Sequence, residues 1–368
     1  MTKEPYRLFF PLGTLLLLCG ALVWVPLIWN PGEYPVTLHR FLMLNGFTGC
    51  FIGGFLMTAV PKFSQTWPAK RWEVYLYLFI TLAGTVVAHL ELEKWMYLLS
   101  AAQPAMLLAF LLGRISHRKM NPPYSFVFIF VGLILWIVSG VLSAFVDPET
   151  FKQLHYEGAI ACIILGVGGR LIPGILGHVE IVMSQRNAYE KQIAIIKTVP
   201  LHFLILIVSF AGSYFMSDFL GTWVRAVVVT LIGIFYWKLY SLPKDKTVLT
   251  RCLWFSSWMI VLSFILKALW IDGVIHASHS FFINGIVLLS FLIATRVLQS
   301  HGPQDKRLED KKILYFVTGL IFIAALTRIT AFIMPDLYLK HLAYSAIMLV
   351  IGATVWGLRY LKYALRVP

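Results

Sequence analysis

Apolar residues run along this chain in long blocks divided by short polar connections. Twelve blocks can be drawn, at 8–29, 36–60, 72–90, 94–114, 124–146, 154–183, 198–217, 219–240, 249–270, 272–299, 311–332 and 338–358. Each reaches the roughly 20 residues an apolar helix needs to cross a bilayer. None shows the alternation of a membrane β-strand. A backbone in lipid must satisfy its polar groups within its own segment, so the blocks predict helices. The connections are too short to hold a soluble domain, and residues 1–368 read as a single membrane domain. The first block is too long for the core of a signal peptide and has no small-residue cleavage site, so it counts as the first helix.

Composition supports this all-α polytopic reading. Hydrophobic residues make up 59% of the chain and charged residues 13%, and mean hydropathy is +0.78. A soluble domain carries about 25% charged residues, so a cytosolic enzyme, a fibrous repeat and a disordered chain are excluded. The net charge of +14 would suggest nucleic acid in a soluble protein. Here the positions of the cations give another meaning, and no nucleic-acid partner is expected. Lys3 and Arg7 precede the first helix. Lys62, Lys70 and Arg71 follow the second, Arg114, Arg118 and Lys119 the fourth, and Arg186, Lys191 and Lys197 the sixth. Lys238, Lys244, Lys246 and Arg251 follow the eighth, Lys306, Arg307, Lys311 and Lys312 the tenth, and Arg359, Lys362 and Arg366 the last. With twelve spans, these 22 of the 31 cations share one side. The other side holds mostly acids: Glu33, Glu91, Glu93, Asp147, Glu149, Asp218, Asp272 and Asp336. The positive-inside rule then places both termini in the cytoplasm.

This topology gives each of the ten histidines a depth. His39, His155, His276 and His279 open the second, sixth and tenth helices, His89 ends the third and His341 opens the twelfth. These six converge on the outer leaflet, while His117, His178, His202 and His301 lie towards the cytoplasm. Neutral imidazole is the commonest ligand for haem iron and copper, and helix bundles build such sites from facing helices. The alternative is that each histidine is simply solvated at a helix end. His276 and His279 are three apart and share a helix face. The four cysteines, Cys19, Cys50, Cys162 and Cys252, form no C-x-x-C-H, so any haem is non-covalent, of b type.

The second, sixth and tenth helices also share a plan. Each opens on an outer histidine and closes on a marked inner segment: Gly54 to Pro61, Gly168-Gly169-Arg170-Leu171-Ile172-Pro173-Gly174, and Thr295-Arg296-Val297. His39 and His155 are 116 residues apart, His155 and His276 are 121 apart. This predicts a three-fold repeat of four-helix units, which resembles the catalytic subunit of haem–copper oxidases in architecture. The oxidase pair of adjacent histidines in the seventh helix is absent, and His202 stands at the wrong end. Arg170 and Arg296 lie about 22–26 Å below their histidines, where snorkelling or an anion or partner site accounts for them. Gly46, Gly49, Gly53 and Gly54 let either a neighbouring helix or a flat macrocycle approach the second helix. Arg40, Arg225, Lys267 and Arg328 are available to haem propionates, though Asp218, Asp272 and Asp336 compete for them.

Several segments carry a family resemblance: Tyr6-Arg7-Leu8-Phe9-Phe10-Pro11, Gly46-Phe47 through Gly54-Phe55-Leu56-Met57-Thr58-Ala59-Val60-Pro61, Gly168 to Pro173, and His279 through Arg296 to His301-Gly302. The chain resembles the NnrS family of bacterial membrane proteins. The resemblance implies twelve helices, bound haem, copper as a second metal, and a role in the response to nitric oxide and in nitrogen-oxide metabolism at the bacterial inner membrane. Any turnover would be haem-dependent redox chemistry with an electron donor the sequence does not name. In register, His39 takes the first position of the family's H-x-H-E, while Phe41 and Leu42 replace the second histidine and the acid. Copper is therefore expected to be weak, with His155, His276, His89 and His341 as the remaining donors. His39 and His279 are the expected axial haem ligands, with Phe47 and Phe282 against the macrocycle. Two other functions compete: a twelve-helix secondary transporter and an assembly subunit of a nitrogen-oxide reductase. Against the first, the loop Pro61 to Pro68 lacks the charged signature of a major-facilitator protein, and no acid stands at mid-membrane.

Overall fold

The computed structural model describes residues 4–29, 32–187, 199–301 and 308–365. Among these, every regular element is a helix. Eleven helices are long and apolar enough to cross a membrane. They are α1 (Tyr6–Ile28), α2 (Val36–Ser64), α3 (Arg71–His89), α4 (Glu93–Ser116), α5 (Tyr124–Phe145), α6 (Pro148–Ile175), α8 (Asp218–Tyr236), α9 (Val248–Leu269), α10 (Val274–Ser300), α11 (Ile313–Thr330) and α12 (Pro335–Leu365). Between α6 and α8 lies a shorter apolar helix, α7 (Leu201–Phe215). At 1.5 Å per residue α7 is about 22 Å long, short of the roughly 30 Å hydrocarbon core. It stands where the sequence predicts a span over 198–217, whose first residue lies outside the described residues. Of the predicted basic positions, Lys3, Lys191, Lys197, Lys306, Arg307 and Arg366 also lie outside them, as does Gly302.

The chain forms two compact units, one of Met1–Phe9 and Ile52–Lys238, the other of Phe10–Phe51 and Leu239–Pro368. In the first, α4 packs between α3 and α5, and α5 packs on α6. Glycines set the α5–α6 approach: a Cβ on Gly132 would stand 2.6 Å from the Ala159 carbonyl oxygen, and one on Gly166 2.6 Å from Ile129. The Ser125 hydroxyl donates to the Gly166 carbonyl at 2.9 Å across the same seam. At the start of α3, the Glu73 carboxylate accepts from the Lys70 backbone N–H at 2.7 Å, a helix-start bond of the capping-box kind. The same carboxylate takes both Arg114 nitrogens, Nη1 at 2.5 Å and Nη2 at 2.6 Å. The sequence pattern places Arg114 among the cations that follow the fourth predicted helix; the structure buries it in the last turn of α4. Asp147 starts α6 by accepting from the backbone N–H groups of Glu149 and Thr150 at 3.1 and 3.0 Å. The Thr150 hydroxyl bond, then these two, hold the Asp147 carboxyl below its ordinary pKa because they favour the ionised form.

The second unit holds most of α1, the first half of α2, and α9 to α12. A Cβ on Gly13 would stand 2.9 Å from Cys50, one on Gly20 2.9 Å from Leu42, and one on Gly46 3.1 Å from Leu16. Small residues thus seat α1 on α2. In the first unit Gly53 makes room for the Tyr77 ring, so Gly46 and Gly53 both serve helix packing. The α2 rings Phe47 and Phe51 each meet Phe291 of α10 at 5.9 Å. Phe291 stacks on Trp356 of α12 at 4.3 Å, and the Trp356 indole N–H donates to Thr295 at 3.0 Å.

Among the described residues, four stretches wind as π-helix: Leu42–Thr48 in α2, Leu154–Gly158 in α6, Ile232–Tyr236 in α8 and Phe281–Val287 in α10. Such turns are rare and gather at functional positions. The spans α2, α6 and α10 are also the most enclosed, with 89%, 72% and 78% of their apolar windows buried, against at most 56% in the others.

Candidate functional site

Histidines gather where helices of the second unit begin. His39 stands in the first turns of α2, His276 and His279 in those of α10, and His341 near the start of α12, while Arg328 closes α11. The His39 Nδ1 is 2.7 Å from the Gly20 carbonyl oxygen. Gly20 lies in the last turn of the α-helical part of α1, which ends at Leu22, where carbonyls lose their intrahelical partners. A carbonyl only accepts, so Nδ1 carries the proton and Nε2 keeps its lone pair. The Trp24 ring stands edge-on to His39 at 5.2 Å.

His279 repeats this arrangement. Its Nδ1 is 2.7 Å from the Ile275 carbonyl oxygen, one turn back on its own helix, and its ring meets Phe282 edge-on at 5.9 Å. Among the described residues neither His39 nor His279 has a hydrogen bond at Nε2. His279 lies within electrostatic reach of His39, His276 and Arg328. An Nδ1–H bond to a backbone carbonyl is the arrangement that orients a metal-ligating imidazole and fixes its tautomer. The donor set of this site therefore suits an iron porphyrin: two neutral imidazoles in one unit, each with a bare Nε2. Of the expected macrocycle contacts, Phe282 is half-buried beside His279, whereas Phe47 is packed among Phe51 and Phe291.

The other histidines are engaged differently. The His276 Nδ1 is 2.7 Å from the Arg328 Nη1 and 3.5 Å from the Arg328 carbonyl oxygen, so the guanidinium contact is much the shorter. A guanidinium only donates, so His276 carries its proton on Nε2 and presents a donor there. His341 Nδ1 is 3.2 Å from the Thr330 hydroxyl and 3.3 Å from the Thr327 carbonyl. In the first unit His155 is buried with both nitrogens occupied, Nδ1 by Ser139 and Nε2 by Ser100, each at 2.9 Å. His89 is exposed at the end of α3. Among the described residues no group of three or more His, Cys, Asp or Glu is placed to hold a metal ion.

On the predicted cytoplasmic side, the Arg170 guanidinium lies 5.0 Å over the Phe63 ring. Arg296 forms an ion pair with Glu309. On the predicted outer side, Arg225 donates to the Ser213 carbonyl at 3.2 Å and lies over the Tyr214 ring at 4.3 Å. Lys267 is buried, 5.2 Å from the Phe264 ring. His117 and His202 are exposed, His178 is buried beside Glu180, and the His301 side chain lies outside the described residues.

Sequence reasoning missed two polar centres. Glu157, two residues past His155, is buried and accepts from the Tyr214 hydroxyl at 3.0 Å. Its one signal was an acid inside an apolar run. The Arg328–His276 bond joins residues 52 apart, which no local spacing reveals. Among curated proteins nothing matches the chain. The NnrS protein family, however, matches it over residues 1–367, nearly its whole length. With that extent of match added to its apolar helices, this chain is a member of the NnrS family of membrane proteins.

Proposed function

We propose that this chain is a haem-binding protein of the bacterial inner membrane that acts in the response to nitric oxide, with His39 and His279 as axial ligands of a b-type haem. One observation carries the reading: both imidazoles donate Nδ1–H to a backbone carbonyl at 2.7 Å, leaving both Nε2 lone pairs available. Family membership supports the nitric oxide role. Haem held by these two imidazoles would supply a redox-active iron suited to electron transfer. The chain's part is orientation: Gly20 and Ile275 hold the rings and the tautomers.

The test is the absorption spectrum and metal content of protein purified in detergent. The wild type should show a Soret band and near-stoichiometric iron, without stoichiometric copper. His39→Ala and His279→Ala should each lose most of the haem or shift its spectrum, while His202→Ala should not. Retention of a wild-type spectrum by both variants overturns the ligand assignment, and a change in His202→Ala alone moves the site to the other leaflet.

The proposed setting is twelve spans in three four-helix units with both termini cytoplasmic. The basic connections support it, as do the histidine-opened, enclosed, π-wound spans α2, α6 and α10. The short α7 is counted as crossing, since local bilayer thinning absorbs a modest mismatch. Reporter fusions after Arg71, Arg118 and Lys246 should all report cytoplasm. The Lys246 fusion is decisive, because it reports periplasm if α7 does not cross.

A further inference from the structure

A cavity of about 690 Å³ opens in the second unit beside the histidine cluster. That size lies within the usual range of small-ligand sites, roughly 300–1,000 Å³. Its apolar walls include Ile28, Ala331, Phe332 and Leu339, and its polar groups include His276 and Tyr338. Arg328 decides what His276 can do. It donates to His276 Nδ1 at 2.7 Å and lies within electrostatic reach of Tyr338. Because a guanidinium only donates, it occupies the Nδ1 acceptor of His276 and leaves that ring's N–H at Nε2, and the Tyr338 hydroxyl is a second donor in the lining. Among the described residues His276 makes no hydrogen bond at Nε2. The ligand that satisfies this cavity therefore brings an acceptor oxygen on an apolar body.

Two further observations narrow the class. Asp336 and Lys340 contribute opposite charges to the lining, so the cavity is not a one-signed trap for a small anion. The residues beside it in sequence, Ile275, Ile333 and Met334, are large, apolar and exposed, which suits a ligand arriving from lipid. We propose that this cavity is a quinone headgroup site, in which the His276 Nε2–H and the Tyr338 O–H donate to a ring carbonyl oxygen. The proposal deepens the haem reading by naming a membrane-borne partner for the neighbouring site. It rests on that reading only for the consequence of binding, not for binding itself.

Binding is measured by calorimetric titration of the detergent-purified protein with decylubiquinone, on the wild type and on protein freed of haem by extraction. Saturable one-to-one binding is expected in both. His276→Phe and Tyr338→Phe keep ring shape but remove one donor each, and each should weaken binding up to about tenfold, the worth of one lost hydrogen bond. Leu339→Trp, which fills the cavity, should abolish binding while elution volume and helical circular dichroism stay unchanged. Absence of saturable binding overturns the proposal, as does binding unaffected by both Phe variants. Saturable binding of nitrite or phosphate that displaces the quinone overturns it in favour of an oxyanion site. Because haem-free protein is tested directly, failure here leaves the haem assignment standing, and loss of the haem assignment leaves this result intact.

Discussion

Arg114→Ala is expected to destabilise the chain by about 3–5 kcal/mol, the cost of leaving one member of a buried ion pair without its partner. The pair is deeply enclosed, with the Arg114 and Glu73 side chains only 3% and 5% exposed. Arg114 meets Glu73 through two nitrogens, donates to the Pro68 carbonyl at 3.2 Å and lies 3.7 Å over the Phe110 ring. Truncation leaves the Glu73 carboxylate charged and dry, or protonated at a cost. Glu73→Gln should lose less, since an amide still accepts from Arg114 and from the Lys70 N–H. The double variant Glu73→Leu with Arg114→Leu removes both charges and should lose far less than the sum of the two single truncations. Denaturant unfolding in mixed micelles reads Arg114→Ala, Glu73→Gln, the single variants Glu73→Leu and Arg114→Leu, and the double variant. An additive double variant, or a loss below about 1 kcal/mol in Arg114→Ala, would show that the pair is effectively solvated.

Gly132→Val should part α5 from α6. The first added carbon meets a backbone oxygen, Ala159 O at 2.6 Å, with Ile163 and Cys162 at 2.8 and 2.9 Å, and a carbonyl in a helix cannot swing aside as a side chain does. Overpacking costs about 1–3 kcal/mol where side chains can yield, and the cost here should reach or exceed the top of that range. The damage should spread to His155, whose Nδ1 bond to Ser139 joins α6 to α5. Gly113→Ala on α4 is the matched control. Nothing stands within 4 Å of a Cβ there, and alanine's helix propensity should stabilise it by up to about 1 kcal/mol. Thermal midpoints in detergent separate the two outcomes. Equal, small effects would mean that the α5–α6 seam is loose.

The class of fold and nearly all span positions were legible because hydrophobic length is a property of one segment at a time. Residues 36–60 read as a span whatever lies beside them. The chemistry of a histidine was not legible in this way. His39 and His155 look alike in sequence, each opening an apolar run. Their difference lies in partners from other helices: the Gly20 carbonyl for His39, and the serines Ser100 and Ser139 for His155. The burial of Arg114 was not legible for the same reason, since its partner Glu73 stands 41 residues away. The glycines of the second helix were legible as sites of close approach, and the side chains of Leu16 and Tyr77 decide what approaches Gly46 and Gly53.

The π-wound stretches carry a consequence for how these helices can change. One residue of an α-helix turns the chain by about 100°, so a single added residue absorbed in a π turn rephases everything on one side of it against the other. His39 stands three residues before the π stretch of α2, and His279 two before that of α10. The azimuth of each histidine is therefore decoupled from that of the glycine- and phenylalanine-bearing half of the same helix. The packing half can hold its grip on its neighbours while the imidazole is aimed independently, much as a collar on a shaft lets one end be indexed without turning the other.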